Sequence, residues 1–339
     1  MYASFTLLNL KSGKSQWFFS ANPNHHYFQA LAQQNHQSYT GVMEYGFVGQ
    51  LYRFMKDGDT NRFCQALRDN PASALNLPAD GCVAPVLISA VFAERVDYLE
   101  ELLKAGADPN LRDTSTKGSA HNLCALHAAL WFERVDMATL LRDYGAAEDF
   151  GTAVFSRDIE AVRRQLQANP DLIASAFMRS TFTLLHVAAN LGHQGLTELF
   201  LEAGLDPRQT EADGHAPLYY AARNSPAIGV MEALVTAGAE VNAASNTGLT
   251  ALSAACRRTQ SLESVIWLLK RGANPNLIPK DKNSPLLRAV RLKNTPMVQA
   301  LLNAGADPNY AGKKGETAIA SAEKKQATEI LALLHDNAG

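Results

Sequence analysis

The chain has 339 residues with 31 basic and 33 acidic side chains, which give a formal net charge of −2. Its 47% hydrophobic residues are enough to bury a core, which excludes a wholly disordered chain. The near-neutral balance argues against a general nucleic-acid or membrane binder but is compatible with a local basic face. No apolar run approaches the roughly 18 residues of a membrane-spanning helix, and the N-terminal residues lack the pattern of a signal peptide.

The cysteines give no sign of metal or disulfide chemistry. Their spacing contains neither a C-x-x-C pair nor a cluster with zinc-ligand spacing. Free cysteines are commonly buried, and reduced thiols are typical of the cytosol. We therefore expect a cytoplasmic protein that needs no metal and no cofactor. The cysteines are Cys64, Cys82, Cys124 and Cys256.

Residues 1–45 match no repeat and are predicted to form an N-terminal extension. The segments SFTLLNL and SQWFFSA flank KSGK, a pattern typical of a β-hairpin around Gly13. The overlapping KSGKS is similar to the end of a phosphate-binding loop, but that motif needs a glycine where Leu8 stands and a helix after the loop. We predict no nucleotide site here, and the extension's histidines have no cysteine or carboxylate at metal-ligand spacing.

The next segment, residues 46–80, is predicted to be a divergent helical capping unit. A possible helix over residues 42–56 precedes GDTNRFCQALRDNPASAL, which is similar to a divergent copy at 151–172, GTAVFSRDIEAVRRQLQANPDL. Both segments lack the start motif of the regular units downstream. We expect them to be helical but atypical members of the same stack.

From residue 81 onwards the chain repeats two short motifs. One motif reads KAGADPN, EAGLDPR, TAGAEVN, KRGANPN and NAGADPN, and the other reads TLLHVAA, APLYYAA, TALSAAC and SPLLRAV. The glycines of the first motif recur at intervals of 33 to 39 residues, apart from one interval of 59 that must contain two units. They are Gly106, Gly145, Gly204, Gly238, Gly272 and Gly305.

This pattern resembles the ankyrin repeat, with its T-P-L-H-x-A start and its period of about 33 residues, over residues 81–337. A Thr or Ser can cap the first helix of each unit, paired alanines allow close packing, and the glycine ends the second helix in a left-handed conformation. One unit cannot cover its own apolar face, so neighbours must stack. The predicted fold is an all-α solenoid of helix-turn-helix units with β-hairpin-like fingers, with about eight units in residues 81–339 including a polar C-terminal cap.

The histidines of the start motif, His127 and His186, are predicted to be structural. Other units place Tyr219, Ser253 and Leu287 in the same slot, as a structural position would allow. Each imidazole ring is expected to hydrogen-bond the backbone of a neighbouring turn. We predict no catalytic residue, because no nucleophile elbow, H-E-x-x-H motif or reactive-cysteine signature is present.

The resemblance implies a protein partner held in a concave groove by the fingers and by the exposed ends of the first helices. At those ends the N-terminal units carry aromatic residues and the C-terminal units carry cations, which are both common in binding hot spots. The predicted partner therefore has an apolar anchor and acidic groups. The aromatic set is Phe92, Trp131, Phe132 and Phe155, and the basic set is Arg223, Arg257, Arg258, Arg291 and Lys293.

Two alternatives compete with this prediction. The long finger at 110–123 could fold over Trp131 and make the aromatic residues local core, or residues 1–45 could lie in the groove. The cations could be merely solvated, as exposed charges on helix ends often are.

The sequence favours a non-enzymatic interaction protein that masks its partner as a bacterial antitoxin or immunity protein would. An effector or adaptor acting on a host protein is a second possibility. An enzyme with a site in residues 1–80, whose substrate is selected by the repeats, is an alternative of a different class. We expect no nucleic-acid and no membrane partner.

Overall fold

Paired helices make up the part of the chain that the structure, a computed structural model, describes. The described residues are 47–70, 75, 86–113, 122–175, 177, 181–223 and 227–337. Within these ranges the chain forms nine pairs of short helices and no strand. The predicted all-α repeat fold is therefore confirmed, whereas the predicted hairpin in the extension lies outside the described residues. The predicted boundaries between extension, cap and repeats stay predictions.

The helices are α1 (Phe47–Asp57), α2 (Thr60–Asp69), α3 (Val86–Phe92), α4 (Val96–Lys104), α5 (Ala125–Trp131), α6 (Val135–Asp143), α7 (Phe150–Phe155), α8 (Ile159–Ala168), α9 (Leu184–Leu191), α10 (Gln194–Glu202), α11 (Pro217–Arg223), α12 (Ile228–Thr236), α13 (Ala251–Ala255), α14 (Leu262–Lys270), α15 (Pro285–Arg291), α16 (Thr295–Asn303), α17 (Ala318–Lys324) and α18 (Thr328–Asp336). Short 3₁₀ turns occupy Pro170–Ala174, Thr259–Ser261 and Lys313–Gly315. No described helix is long and apolar enough to cross a membrane.

The predicted hydroxyl caps and left-handed glycines are confirmed at the regular units, whereas the possible helix over residues 42–56 corresponds to α1 over Phe47–Asp57 in the described part of the chain. The hydroxyls of Thr250 and Ser284 accept hydrogen bonds from the backbone N–H groups three residues later, at 3.2 and 3.1 Å. Caps of this kind contribute about 1 kcal/mol each. All six repeat glycines have a positive φ, such as 103° at Gly238, which a residue with a Cβ adopts only with strain.

Close stacking of the first helices builds the core. Helix α9 packs on α11, α11 packs on α13, and α15 packs on α17. The paired alanines of these helices are almost completely buried, with exposed fractions of 0 to 1%. Small side chains at these positions let the axes of neighbouring first helices approach one another. The pairs are Ala128–Ala129, Ala188–Ala189, Ala221–Ala222 and Ala254–Ala255.

Asparagines at the end of the G-A-x-P-N motif connect successive units. The Asn276 amide donates to the Gly305 carbonyl at 2.8 Å, and its carbonyl accepts from the Asp307 backbone N–H at 2.9 Å. Asn110 and Asn242 make the same two bonds to the units that follow them. These bonds join the end of one second helix to the next and hold the spacing between units.

The histidines of the start motif are buried structural groups, as predicted. The His186 Nε2–H donates to the His215 backbone carbonyl in the next finger at 3.1 Å. After α6 the link to α7 is short, and the Asp149 carboxylate takes the place of that carbonyl, 2.8 Å from His127 Nε2. Asp149 also caps α7 by accepting from the Thr152 backbone N–H at 2.8 Å.

Burial keeps both imidazoles neutral. It lowers the pKa of His127 to about 3, with a further contribution from the positive charge of Arg112, and it lowers the pKa of His186 to about 4. In the unfolded chain both rings bind a proton near a pH of about 6.5. Protonation below that pH therefore favours unfolding, and the stability present above about pH 6.5 is lost as the pH falls toward the folded values.

The change Asn276→Ala is expected to lower the free energy of unfolding by about 1 kcal/mol, because it removes two exposed hydrogen bonds between units. Urea unfolding followed by circular dichroism measures the effect. Asn303→Ala is the control, since its carbonyl accepts only from Gln299 within the same helix. Equal losses in the two variants would contradict the role of Asn276.

The change Arg208→Asn is expected to raise the free energy of unfolding. Arg208 replaces the bridging asparagine in its unit and bonds Asp206 in its own turn instead. An asparagine there can reach the Gly238 carbonyl and the Glu240 N–H, by analogy with Asn242 and its partners. The same urea titration tests this expectation, and an unchanged or lower midpoint would contradict it.

The change His127→Gln is expected to weaken the pH dependence of stability between about pH 6.5 and pH 5. Each buried neutral histidine makes the free energy of unfolding fall by up to about 1.4 kcal/mol per pH unit in that range. Removing one histidine should lower the slope by about that amount, whatever the variant's stability at neutral pH. The control is His335→Gln, on an exposed helix end. A slope that is the same in wild type and His127→Gln would show that the ring is not buried neutral.

Candidate partner-binding surface

Aromatic residues at the ends of the N-terminal first helices lie inside the protein. Trp131 is 2% exposed, Phe132 is 7% exposed, and Phe155 is completely buried. Phe92 is half-buried. The prediction that these side chains form an exposed aromatic anchor is therefore wrong for the first three, and Phe92 alone does not make such a surface.

Edge-to-face contacts between units explain this burial. The Trp131 and Phe155 rings are 5.5 Å apart, and the Phe155 ring lies 5.4 Å from that of Phe177. A separate contact joins Phe92 and Phe132, with ring centroids 5.7 Å apart. Such pairs add stability beyond the area that they bury. The adjacent bulky residues of α5 therefore face two different neighbouring units, α7 and α3, which one helix considered alone does not reveal.

Phe177 and Phe182 are core residues that no repeat motif predicts. The Phe177 ring contacts His127 at 5.8 Å, and the Phe182 ring contacts His186 at 5.0 Å. Each phenylalanine thus covers the buried histidine of a start motif. The only sequence signal was an aromatic residue on each side of the polar segment MRST.

The predicted cations divide into structural and solvent-facing groups. The Arg258 guanidinium donates to the Arg223 backbone carbonyl at 3.2 Å, and burial lowers its pKa. Arg291 forms an ion pair with Glu316 and donates to the Asn283 side chain at 2.5 Å. Arg223, Arg258 and Arg291 are partly buried, whereas Arg257 and Lys293 are exposed. The last two are the members of the predicted basic set that a partner can reach most directly.

Acidic side chains near these cations are already neutralised. Asp281 forms an ion pair with Arg288 at 2.6 Å, and Glu316 pairs with Arg291. The pKa of Glu316 is lowered mainly by its hydrogen bond from Arg291, and the charge of Lys324 contributes. Burial lowers the pKa of Arg288, and Arg257 lowers it further, so Arg257 lies close enough to add its charge. Asp281 and Glu316 therefore add little net negative charge beside these cations.

The fingers of the last two units add lysines that were not predicted, because the prediction considered only positions at the ends of the first helices. Residues 246–339 contain 13 basic and 7 acidic side chains, although the whole chain has a net charge of −2. The signal in the sequence was the pair of segments PKDK and GKKG. We give the name basic face to six exposed cations of this region, two at the ends of first helices and four in the fingers. It consists of Arg257, Lys280, Lys282, Lys313, Lys314 and Lys324.

One finger brings three possible metal ligands together. Ligand atoms of Glu211, Asp213 and His215 lie within 4.8 Å of one another. The Glu211 carboxylate accepts from the Asp213 backbone N–H at 3.0 Å and is 2.8 Å from His215 Nδ1. Burial raises the pKa of Glu211, but these hydrogen bonds outweigh burial and lower it to about 2. The carboxylate oxygens of Glu211 are therefore already engaged in hydrogen bonds that hold the turn of this finger.

Known proteins match this chain chiefly through its repeats. A putative palmitoyltransferase of Danio rerio is 27% identical over 251 residues, which is 73% of this chain and 34% of that protein. The mouse B-cell lymphoma 3 protein homolog is 31% identical over 144 residues, and a putative ankyrin repeat protein of Acanthamoeba polyphaga mimivirus is 37% identical over 86 residues. These matches cover 32% and 21% of the two relatives, so the chain spans about a third or less of each relative.

A family model described as ankyrin repeats in three copies matches residues 150–245, 185–279, 226–312 and 252–339. Together these matches cover more than half of the chain. They agree with the helix pairs, the left-handed glycines and the buried alanine pairs described above. Tandem ankyrin repeats are protein-interaction modules, so a protein partner is implied. The chain belongs to the ankyrin-repeat family.

Proposed function

We propose that this chain binds a partner protein through its concave groove, using the ends of the first helices and the fingers of its C-terminal half. The observation that carries the proposal is the contrast along one row of equivalent positions. Trp131 and Phe155 are buried there, whereas Arg257 and Lys324 are exposed. Packing accounts for the aromatic end of the row but not for the exposed cations. The remaining predicted contacts of the basic set are Arg223, Arg258, Arg291 and Lys293.

Binding is proposed to mask a functional surface of the partner, as a bacterial antitoxin or immunity protein does. The asparagine bridges between units support a preformed surface, and a preformed surface loses little conformational entropy on binding. A host-directed adaptor would use the same surface. The alternative of a catalytic site in residues 1–80 concerns residues that lie largely outside the described ranges. A cytoplasmic location is also proposed, and the free thiols of Cys64, Cys124 and Cys256 support it.

Photo-crosslinking from single positions tests this proposal. Arg257 is replaced by a photoreactive phenylalanine derivative, and the protein is irradiated in lysate of the cells that express it. We expect a discrete adduct to a partner protein, because position 257 is exposed in the proposed groove. The matched control carries the same group at Ile266, an exposed position on the second helix of the same unit. Adducts from position 266 alone would place the partner elsewhere and contradict the proposal.

A further inference from the structure

The basic face is the strongest unexplained feature outside the packing of the repeats. We infer that it binds an extended acidic segment of a partner protein, with carboxylates recurring about every third residue. This inference rests on the proposed function and specifies the chemistry of its partner.

The cations of the basic face are available to a ligand. All six are exposed, and among the described residues none of them forms an ion pair. The nearby carboxylates of Asp281 and Glu316 are held by Arg288 and Arg291 instead. The two arginines thus neutralise two of the carboxylates that would otherwise repel an acidic ligand, whereas Glu323 beside Lys324 stays exposed.

Hydrogen bonds connect the two tiers of the basic face. Arg257 and Lys324 lie at the ends of first helices, whereas the four lysines lie in the fingers. Arg291 stands between the tiers, because its guanidinium contacts Asn283 in one finger and Glu316 at the base of the next. Arg291 therefore links the end of one first helix to the two fingers that carry the lysines.

The spacing of the repeats suits an extended peptide. Packed helices lie about 8–10 Å apart, so equivalent cations of successive units are separated by about that distance. An extended chain rises about 3.4 Å per residue, so three residues span one unit. Carboxylates three residues apart would meet the lysines of the two successive fingers, whereas Arg257 and Lys324 lie two units apart and would meet carboxylates about six residues apart.

Two of the finger lysines occupy backbone positions that disfavour a side chain. Lys282 has a φ of 60° and Lys314 a φ of 63°. The positions equivalent to Lys282 in the two preceding fingers are Gly214 and Gly248, with φ values of 80° and 76°. Folding would favour glycine at 282 as well. Six other described non-glycine residues also have a positive φ, so the conformation alone does not indicate function, but it makes glycine a well-tolerated replacement at positions 282 and 314.

A protein segment fits this surface better than a nucleic acid does. Single-stranded nucleic acids are bound by cations together with exposed aromatic stacking platforms. Among described residues 246–337 the aromatic side chains are Trp267 and Tyr310, and neither is fully exposed. Trp267 lies on a second helix and is covered by the Arg271 guanidinium. Tyr310, in the finger that carries Lys313 and Lys314, is only partly exposed, so among these described residues the basic face offers a single ring for stacking rather than a row of platforms.

The test uses fluorescence anisotropy with the full chain and a fluorescein-labelled peptide of five Glu-Gly-Ser repeats. We expect saturable binding that weakens with added salt, and no binding of the matching Gln-Gly-Ser peptide. The double variant Lys282→Gly and Lys314→Gly should bind about tenfold more weakly, because two cations are lost. Glycine relieves the backbone strain at both positions, so this variant should melt at the same or a higher temperature than the wild type.

Matched controls decide between a specific face and diffuse charge. The double variant Arg163→Gln and Lys270→Gln removes two exposed cations on second helices and should bind the peptide as the wild type does. Equal weakening in both double variants would overturn the inference. A labelled oligothymidine of the same length that binds as tightly as the peptide, and is lost in the finger variant, would overturn it in favour of nucleic acid.

A third result separates this inference from the proposed function. If the Glu-Gly-Ser peptide does not bind, the acidic-segment inference fails. A partner crosslinked from position 257 would then still support groove binding. The segment of that partner that contacts the basic face would not be acidic.

Discussion

Every unit of this protein has an apolar face that it cannot cover by itself, and the remaining structure follows from that constraint. The first helices meet this requirement with paired alanines that are almost fully buried. Asn110, Asn242 and Asn276 then each connect the end of one second helix to the end of the next through two hydrogen bonds. A flexible binding surface would require loose contacts between units. The alanine and asparagine contacts between these units are close instead. The repeats therefore present partner-facing groups from a largely preorganised framework.

The short link between α6 and α7 shows how the stack tolerates an irregular unit. Without the backbone of a regular finger, the His127 ring would be buried beside no acceptor, which is costly. Asp149 provides the acceptor and caps α7 at the same time. Phe155 and Phe177 fill the space around the ring. One carboxylate and two aromatic rings thus replace a missing finger, and they use the aromatic residues that would otherwise be free to bind a partner.

Charge is divided between the two ends of the stack. Toward the N-terminus the turns are joined by ion pairs between units, Arg134 with Glu94 and Arg157 with Glu133. Toward the C-terminus, arginines within the stack neutralise the local carboxylates, and the cations at helix ends and fingers remain exposed. Internal ion pairs hold the turns of one end together, whereas unpaired cations of the same sign give the other end a field that can attract and orient an acidic partner.

The repeat architecture, the helix caps, the left-handed glycines and the structural histidines followed from the sequence, because each depends on residues close together in one unit or on a motif that recurs. The burial of Trp131 and Phe155 did not, because it depends on rings from neighbouring units and on Phe177, which belongs to no motif. The sequence also identified cations at the ends of the C-terminal first helices. Which of these cations are exposed depends on contacts between units, since Arg291 is engaged by Glu316 from the next unit whereas Arg257 is not. Contacts within a unit can be inferred from spacing along the chain, but contacts between units depend on how the units stack.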